Sequence, residues 1–185
     1  MFLKLRHLIP FLADEEKNYH IIRLIFGVLV LIGLVVSLLV IFILTEQTPE
    51  ETTHLSSFAT YAISDLLSIA GIFLQSDDLP LLSKLLRRLA HTVEFFVVGF
   101  FVAVTVLLWL KERVGLAKSR NYALGICIGL SLFDQTHKLF VIGREFDVID
   151  LIFDAAGYLS ALFLVLAIYK AKESRKARIN ESSSE

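Results

Sequence analysis

Ile21-Ile22-Arg23-Leu24-Ile25-Phe26-Gly27-Val28-Leu29-Val30-Leu31-Ile32-Gly33-Leu34-Val35-Val36-Ser37-Leu38-Leu39-Val40-Ile41-Phe42-Ile43-Leu44 is a 24-residue segment whose only charge, Arg23, lies in its first turn. As a helix rising 1.5 Å per residue it extends about 36 Å, more than the roughly 30 Å of hydrocarbon in a bilayer. A segment of this kind crosses a membrane. The rest of the chain agrees, since 56% of its 185 residues are hydrophobic and they gather in long blocks instead of at a core-forming period. That is the composition of an integral membrane protein. The run is too long for a signal-peptide core and follows a charge-rich stretch, so it reads as an uncleaved span with no targeting peptide.

Three further segments come near the length a span needs: about Leu89 to Leu110, Tyr122 to Val141 and Val148 to Tyr169, each with ionisable residues near one end. The expected fold is therefore an all-α integral membrane protein, a four-transmembrane-helix bundle. Between the first two spans, Phe58 to Leu74 mixes Tyr61, Ile63, Leu66, Leu67, Ile69, Ile72 and Phe73 with Ser64, Asp65 and Ser68. This pattern predicts an external amphipathic helical segment lying on the bilayer surface, ended by Asp77-Asp78-Leu79-Pro80.

Orientation follows from the bases, because cytoplasmic loops collect Lys and Arg. Lys4, Arg6, Lys17 and Arg23 flank the first span; Lys111, Arg113, Lys118 and Arg120 join the second to the third; Lys170, Lys172, Arg175, Lys176 and Arg178 follow the fourth. Both termini are expected in the cytoplasm, with residues 1–20 a cytoplasmic N-terminal segment, 21–170 the four-span membrane domain and 171–185 a disordered cytoplasmic tail. Gly125 and Gly129 form a GxxxG in the third span, which predicts close approach to a neighbouring helix there.

Several function classes are excluded or left without support. A net charge of −1 and the lack of a large basic face argue against nucleic acid. No Walker loop, dinucleotide fingerprint or zinc spacing occurs, so no cofactor or metal is expected. Cys127 is the only cysteine, which excludes an internal disulfide.

Charges inside spans are the informative residues. An Asp at the centre of a membrane helix costs roughly 2.5 to 3.5 kcal/mol on insertion scales, so it faces a protein interior and a partner. Asp150 and Asp154 lie one turn apart where the fourth span begins, preceded by Arg144. Arg88, His91 and Glu94 recur every three residues at the start of the second span, and Asp134 and His137 share a face at the end of the third. With the alternating topology all eight fall at one depth, in the outer leaflet. Arg87 and Lys138 read as end anchors that snorkel to the interface, and Asp150 also suits a helix N-terminus electrostatically.

These blocks resemble the VanZ-like family of bacterial membrane proteins. Arg88-Leu89-Ala90-His91-Thr92-Val93-Glu94-Phe95 with Gly99 is similar to the family's KxxHFxEY block; Asp134, His137, Phe140, Gly143 and Arg144 to its DExHQ…F…GR block; and Asp150, Asp154 and Gly157 to its closing block. The matched region is about 88–162. Gln135 and Lys138 stand where the family pattern has Glu and Gln, which bears on any role that needs a carboxylate or neutral amide there. The resemblance implies a protein of the bacterial cell membrane associated with teicoplanin and lipoglycopeptide resistance, a branch of antibiotic resistance, by an activity that the family does not define.

Together these readings predict a polar site made of Arg88, His91, Glu94, Asp134, His137, Arg144, Asp150 and Asp154. Its expected ligand is the headgroup of an amphiphile, either a membrane lipid or a lipid-linked cell-envelope intermediate, with the tail between helices. In this reading Arg88 and Arg144 hold phosphate or carboxylate. The alternatives are a membrane-embedded enzyme that uses His91 or His137 with an Asp on a lipid headgroup, and a salt-bridge network that only ties helices together.

Overall fold

The computed structural model describes residues 9–182 of the protein; Lys4 and Arg6, expected to flank the first span, lie outside the described residues, as do positions 183–185. Five helices follow one another: α1 (Ile9–Glu46), α2 (Pro49–Ile69), α3 (Leu79–Val114), α4 (Leu116–His137) and α5 (Val148–Ser182), with a 3-10 turn at Lys138–Phe140 after α4. No strand occurs among the described residues. Three helices are long and apolar enough to cross a membrane, namely α3, α5 and the His20–Glu46 part of α1. This makes the molecule a multi-pass membrane protein. α4 is shorter, and its ends are polar (Lys118, Ser119, Arg120 and Asn121 at one, Asp134, Gln135 and His137 at the other).

Four helices run alternately up and down. Thr45 of α1 meets Asp134 of α4, and Arg88 of α3 lies near Asp150 of α5, so the C-terminal ends of α1 and α4 share one end of the bundle with the N-terminal ends of α3 and α5. At the other end Arg23 donates to the Leu108 carbonyl at 2.8 Å and pairs with Glu112 at 2.9 Å, while the Lys111 ammonium lies 4.1 Å from the Tyr169 ring centroid. The turn from α3 to α4 is one residue long. Gly115 there adopts φ +81°, a backbone region open to glycine, and its N–H returns to the Lys111 carbonyl.

α3 is the hub, packed against every other long helix. Phe95, Val98, Val102 and Val106 recur every three or four residues on its buried face and meet Ala123 and Cys127 of α4 and Tyr158, Leu162 and Val165 of α5. Two glycines set the α3–α5 distance. A Cβ on Gly99 would lie 2.8 Å from the Tyr158 Cα, and one on Gly157 would overlap the Thr92 carbonyl oxygen. The Thr92 hydroxyl donates to the Phe153 carbonyl at 3.1 Å across the same contact. In a membrane, where lipid is as apolar as leucine, such backbone proximity is what holds helices together.

Three expectations need correction. Gly125 and Gly129 do not make a close helix contact: nothing lies within 4 Å of a Cβ placed on either. The helix between the first two spans begins at Pro49 rather than Phe58, because Pro at a first helical position is preorganised, and it ends at Ile69. There Gly71 at φ +83° and the Ile72 N–H returning to the Leu67 carbonyl at 2.9 Å form a left-handed stop. The tail expected to be disordered from 171 is helical to Ser182, since Lys170-Ala-Lys-Glu-Ser-Arg-Lys-Ala-Arg178 is built largely of strong helix formers.

Candidate functional site

The polar residues collect where α1 and α4 end and α3 and α5 begin. Their centre is Lys138, only 3% exposed, in the turn after α4. Its ammonium donates to Asp150 Oδ2 at 3.1 Å, lies 3.6 Å from Asp134 Oδ2, and faces His91 Nε2 at 3.5 Å. An ammonium can only donate, so Nε2 faces it as an acceptor, and the ring proton belongs on Nδ1, which looks at Glu94 Oε2 from 3.4 Å. One cation thus joins groups from three helices.

Arg88 forms a second layer. Its guanidinium donates to Asp147 Oδ2 at 3.0 Å, approaches Asp150 Oδ1 at 3.6 Å, and lies over the Phe153 ring. Deeper down, Asp134 accepts from the Thr45 hydroxyl at 2.5 Å, and the fully buried Asp154 accepts from the Ser131 hydroxyl at 2.8 Å. Each buried carboxylate therefore ties two helices through one oxygen, while Asp134 Oδ2 and Asp154 Oδ1 accept no hydrogen bond from the described residues.

Two predicted members make their bonds outside the cluster, although Arg144 shares a cavity wall with His91 and Asp150. His137 faces α1, donating from Nε2 to Glu46 Oε1 at 2.6 Å with its ring stacked on Phe42. A helix advances about 100° per residue, so turning Asp134 and Lys138 inward swings His137 to the side. Among the described residues Arg144 approaches no carboxylate within bonding distance. It donates to the Leu44 carbonyl at 3.2 Å, left open by the last turn of α1, to the Gln47 carbonyl just beyond it at 2.8 Å, and to the Thr52 hydroxyl of α2 at 2.7 Å. Conversely Lys138, Asp147, Thr45 and Ser131 belong to the cluster though they were not singled out for it. The four-residue spacing of Asp134 and Lys138 was the available signal.

Asp147 also holds the start of α5, accepting from the Ile149 N–H at 2.8 Å. Burial pushes its pKa up, but the Ile149 N–H and then the Arg88 guanidinium outweigh this and hold it below the ordinary 3.8. A depressed carboxylate contributes stability that is full above its unfolded pKa and is lost as pH falls through the folded value. Asp147→Asn should therefore lower the melting temperature by a constant amount from pH 7 to pH 5. That deficit should shrink only below about pH 3.8. A deficit already closing at pH 5 would contradict the assignment.

Beside the cluster opens a cavity of about 440 Å³ lined by Lys84, Arg87, His91, Lys138, Arg144, Glu145, Asp147 and Asp150 among others. A second, of about 240 Å³, continues between α1, α2 and α3 and shares Arg87, His91, Arg144 and Thr52 with it. Asp147 and Asp150 are engaged by Arg88 and Lys138. Lys84 and Arg87 have no ion pair among the described residues. Burial first, and the Arg87 guanidinium next, pull the Arg144 pKa below its ordinary value, while Asp134, Asp150 and Glu94 push it back. Two guanidiniums thus face a shared space.

An up-and-down helical membrane protein with an ionised cluster gathered at one end is the class these features define. A family model described as VanZ/LLP1 matches residues 24–169, and the chain belongs to that family. No curated protein and no protein of solved structure matches it.

Proposed function

We propose that the polar end of the bundle binds the anionic headgroup of a membrane amphiphile, a lipid or a lipid-linked cell-envelope intermediate, and that Arg87 and Arg144 supply the binding charge with Lys84 at the rim. The observation that carries this is the pair of guanidiniums on one cavity wall, where Asp147 and Asp150 are already engaged by Arg88 and Lys138. Arginine forks suit phosphate and carboxylate. Arg88, assigned to that task from the sequence, is neutralised by Asp147 and Asp150 and acts as a strut. Acid-base catalysis is less favoured, because His137 is bonded to Glu46 and stacked on Phe42 and does not line the cationic cavity, and His91 Nε2 faces the Lys138 ammonium.

Arg87→Ala is the clean test, since Arg144 also caps α1. A charge-assisted hydrogen bond contributes about 1.5 to 3 kcal/mol, so Arg87→Ala should weaken binding of a phosphate-bearing lipid by roughly ten- to a hundredfold with an unchanged melting temperature. Native mass spectrometry of the purified protein reads this. Equal retention of the lipid by wild type and Arg87→Ala, or a preference for a zwitterionic lipid, removes the proposal.

The same reading takes α4 as a fourth span in the bacterial cell membrane and the termini as cytoplasmic, which puts the cluster on the external side. Supporting it, the bases of the α3–α4 link and of the α5 extension lie at the end opposite the cluster. α2 then lies over the external face, with its Phe58, Tyr61 and Ile69, and Ile72 and Phe73 just after it, exposed toward the interface. Cys127 is buried and is the only cysteine, so an introduced thiol reports alone. A cysteine at Gln75 should react with an impermeant maleimide on intact cells, and one at Ala171 only after lysis; the reverse pattern overturns the orientation. A lipid-anchored glycopeptide antibiotic is an amphiphile of the kind this site would hold, which is the link we draw to teicoplanin resistance.

A further inference from the structure

α1 and α4 both flank α3 but hardly touch one another over most of their length. Between them lies an apolar slot of about 300 Å³, walled by Leu38 and Phe42 of α1 and Leu130 and Phe133 of α4, with Phe95 of α3 as its floor. It opens outward, since Phe42 and Phe133 remain largely exposed. Its polar end is closed by two cross-links between the same helices, Thr45 to Asp134 and Glu46 to His137. On α1 the wall of the slot (Ile41, Phe42) is one turn below Leu44, which lines the cationic cavity; on α3 Phe95 follows Glu94, which lines that cavity too. The Thr45–Asp134 bond joins the residue that follows Leu44 of the cavity wall to a residue of the slot wall.

We propose that the slot receives one alkyl chain of the same molecule whose anionic head occupies the Arg87–Arg144 cavity. This rests on the headgroup reading above. Charge complementarity selects an anion in the upper compartment, and the lower compartment has no polar wall except Asp134 and His137 at its closed end. A solute that fills both is an anion joined to a hydrocarbon chain, and a free phosphate or a bulk-lipid tail fills only one. The Thr45–Asp134 and Glu46–His137 links stand across the passage and act as its latch: the chain enters sideways between α1 and α4, and the latch closes over the junction of head and tail.

Dodecyl phosphate is the probe, with inorganic phosphate as the tail-less control and a mid-chain diazirine derivative for mapping, all on the full-length protein in detergent. Irradiation should label α1 within residues 35–42 and α4 within 130–137. Excess unlabelled dodecyl phosphate should abolish this labelling, and Arg87→Ala should reduce it. Leu38→Trp, which fills the slot, should weaken dodecyl phosphate roughly tenfold, about the burial of two methylene groups, and leave inorganic phosphate unchanged. Binding that depends on Arg87 but labels α2 or α5, or is indifferent to Leu38→Trp in a variant with wild-type melting, overturns the slot and leaves the headgroup site standing. Binding that does not depend on Arg87 overturns both, and labelling that excess probe does not compete shows bulk-lipid contact and overturns the slot.

Discussion

Replacing Lys138 by methionine should cost about 3 to 5 kcal/mol, enough to prevent accumulation of folded protein or to lower its melting temperature in detergent severely. The side chain is almost fully buried, and its ammonium is the nearest cation to Asp134 and the bonded partner of Asp150. Methionine preserves most of the length and removes the charge. It leaves Asp134, at 4% exposure, and Asp150 facing each other with Arg88 as the remaining cation near Asp150. Removing one partner of a buried pair is costly because the other charge stays desolvated, whereas removing both is often neutral. The informative experiment is therefore a double-mutant cycle. Asp150→Asn in the Lys138→Met background should recover a substantial part of the loss, with a coupling of about 0.5 to 3 kcal/mol. If Lys138→Met melts like wild type, Lys138 is a snorkelling anchor at the end of α4, as its sequence position first suggests, and the description of the cluster fails. The cycle also separates roles. A network that only joins helices is dispensable once repaired, and Lys138→Met/Asp150→Asn would then keep the Arg87-dependent binding.

Three apolar spans and the gathering of polar residues at one end of the bundle were legible because both follow from spacing. Twenty or so apolar residues make a span, and alternating direction brings the end of α4 and the starts of α3 and α5 together. Arg88, His91, Glu94, Asp134, Asp150 and Asp154 do come together. What spacing does not encode is the rotation of each helix. The inward turn of Lys138 carries His137 outward to Glu46, and the same uncertainty hid the open surroundings of Gly125 and Gly129. Nor does sequence mark a side chain whose partners are backbone carbonyls. Arg144 does line the pocket, but its bonds to the Leu44 and Gln47 carbonyls and the Thr52 hydroxyl were not legible, because a helix end has acceptors to satisfy whatever residues compose it. Thr48-Pro49 did carry a usable start signal for α2 that the amphipathic pattern further on obscured. Lys138 replaces a neutral amide of the family pattern, and the structure gives that change a partner set in Asp134 and Asp150.

Gly157→Val should disrupt the protein as severely as Lys138→Met, through packing instead of charge. A Cβ at Gly157 would overlap the Thr92 carbonyl oxygen and lie 2.9 Å from the Phe96 nitrogen, both backbone atoms of α3 that cannot swing aside. The helices must part, and overpacking of this kind costs about 1 to 3 kcal/mol before the lost contacts of Phe95, Val98 and Tyr158 are counted. Gly157→Ala should already destabilise. Gly125→Ala and Gly129→Ala are the controls: they meet no neighbour, and alanine is the better helix former by up to about 1 kcal/mol, so both should leave the melting temperature unchanged or raise it. Equal behaviour of the three alanine variants would show that α3 and α5 are not in backbone contact. The consequence reaches the site. Gly157 lies one turn below Asp154, and Thr92 follows His91 directly, so the approach of these two backbones sets the height at which Arg88 and His91 meet Asp150 and Lys138. A milder Gly157→Ala protein that still folds should therefore bind phosphate-bearing lipid less well than wild type, although residue 157 lines neither cavity.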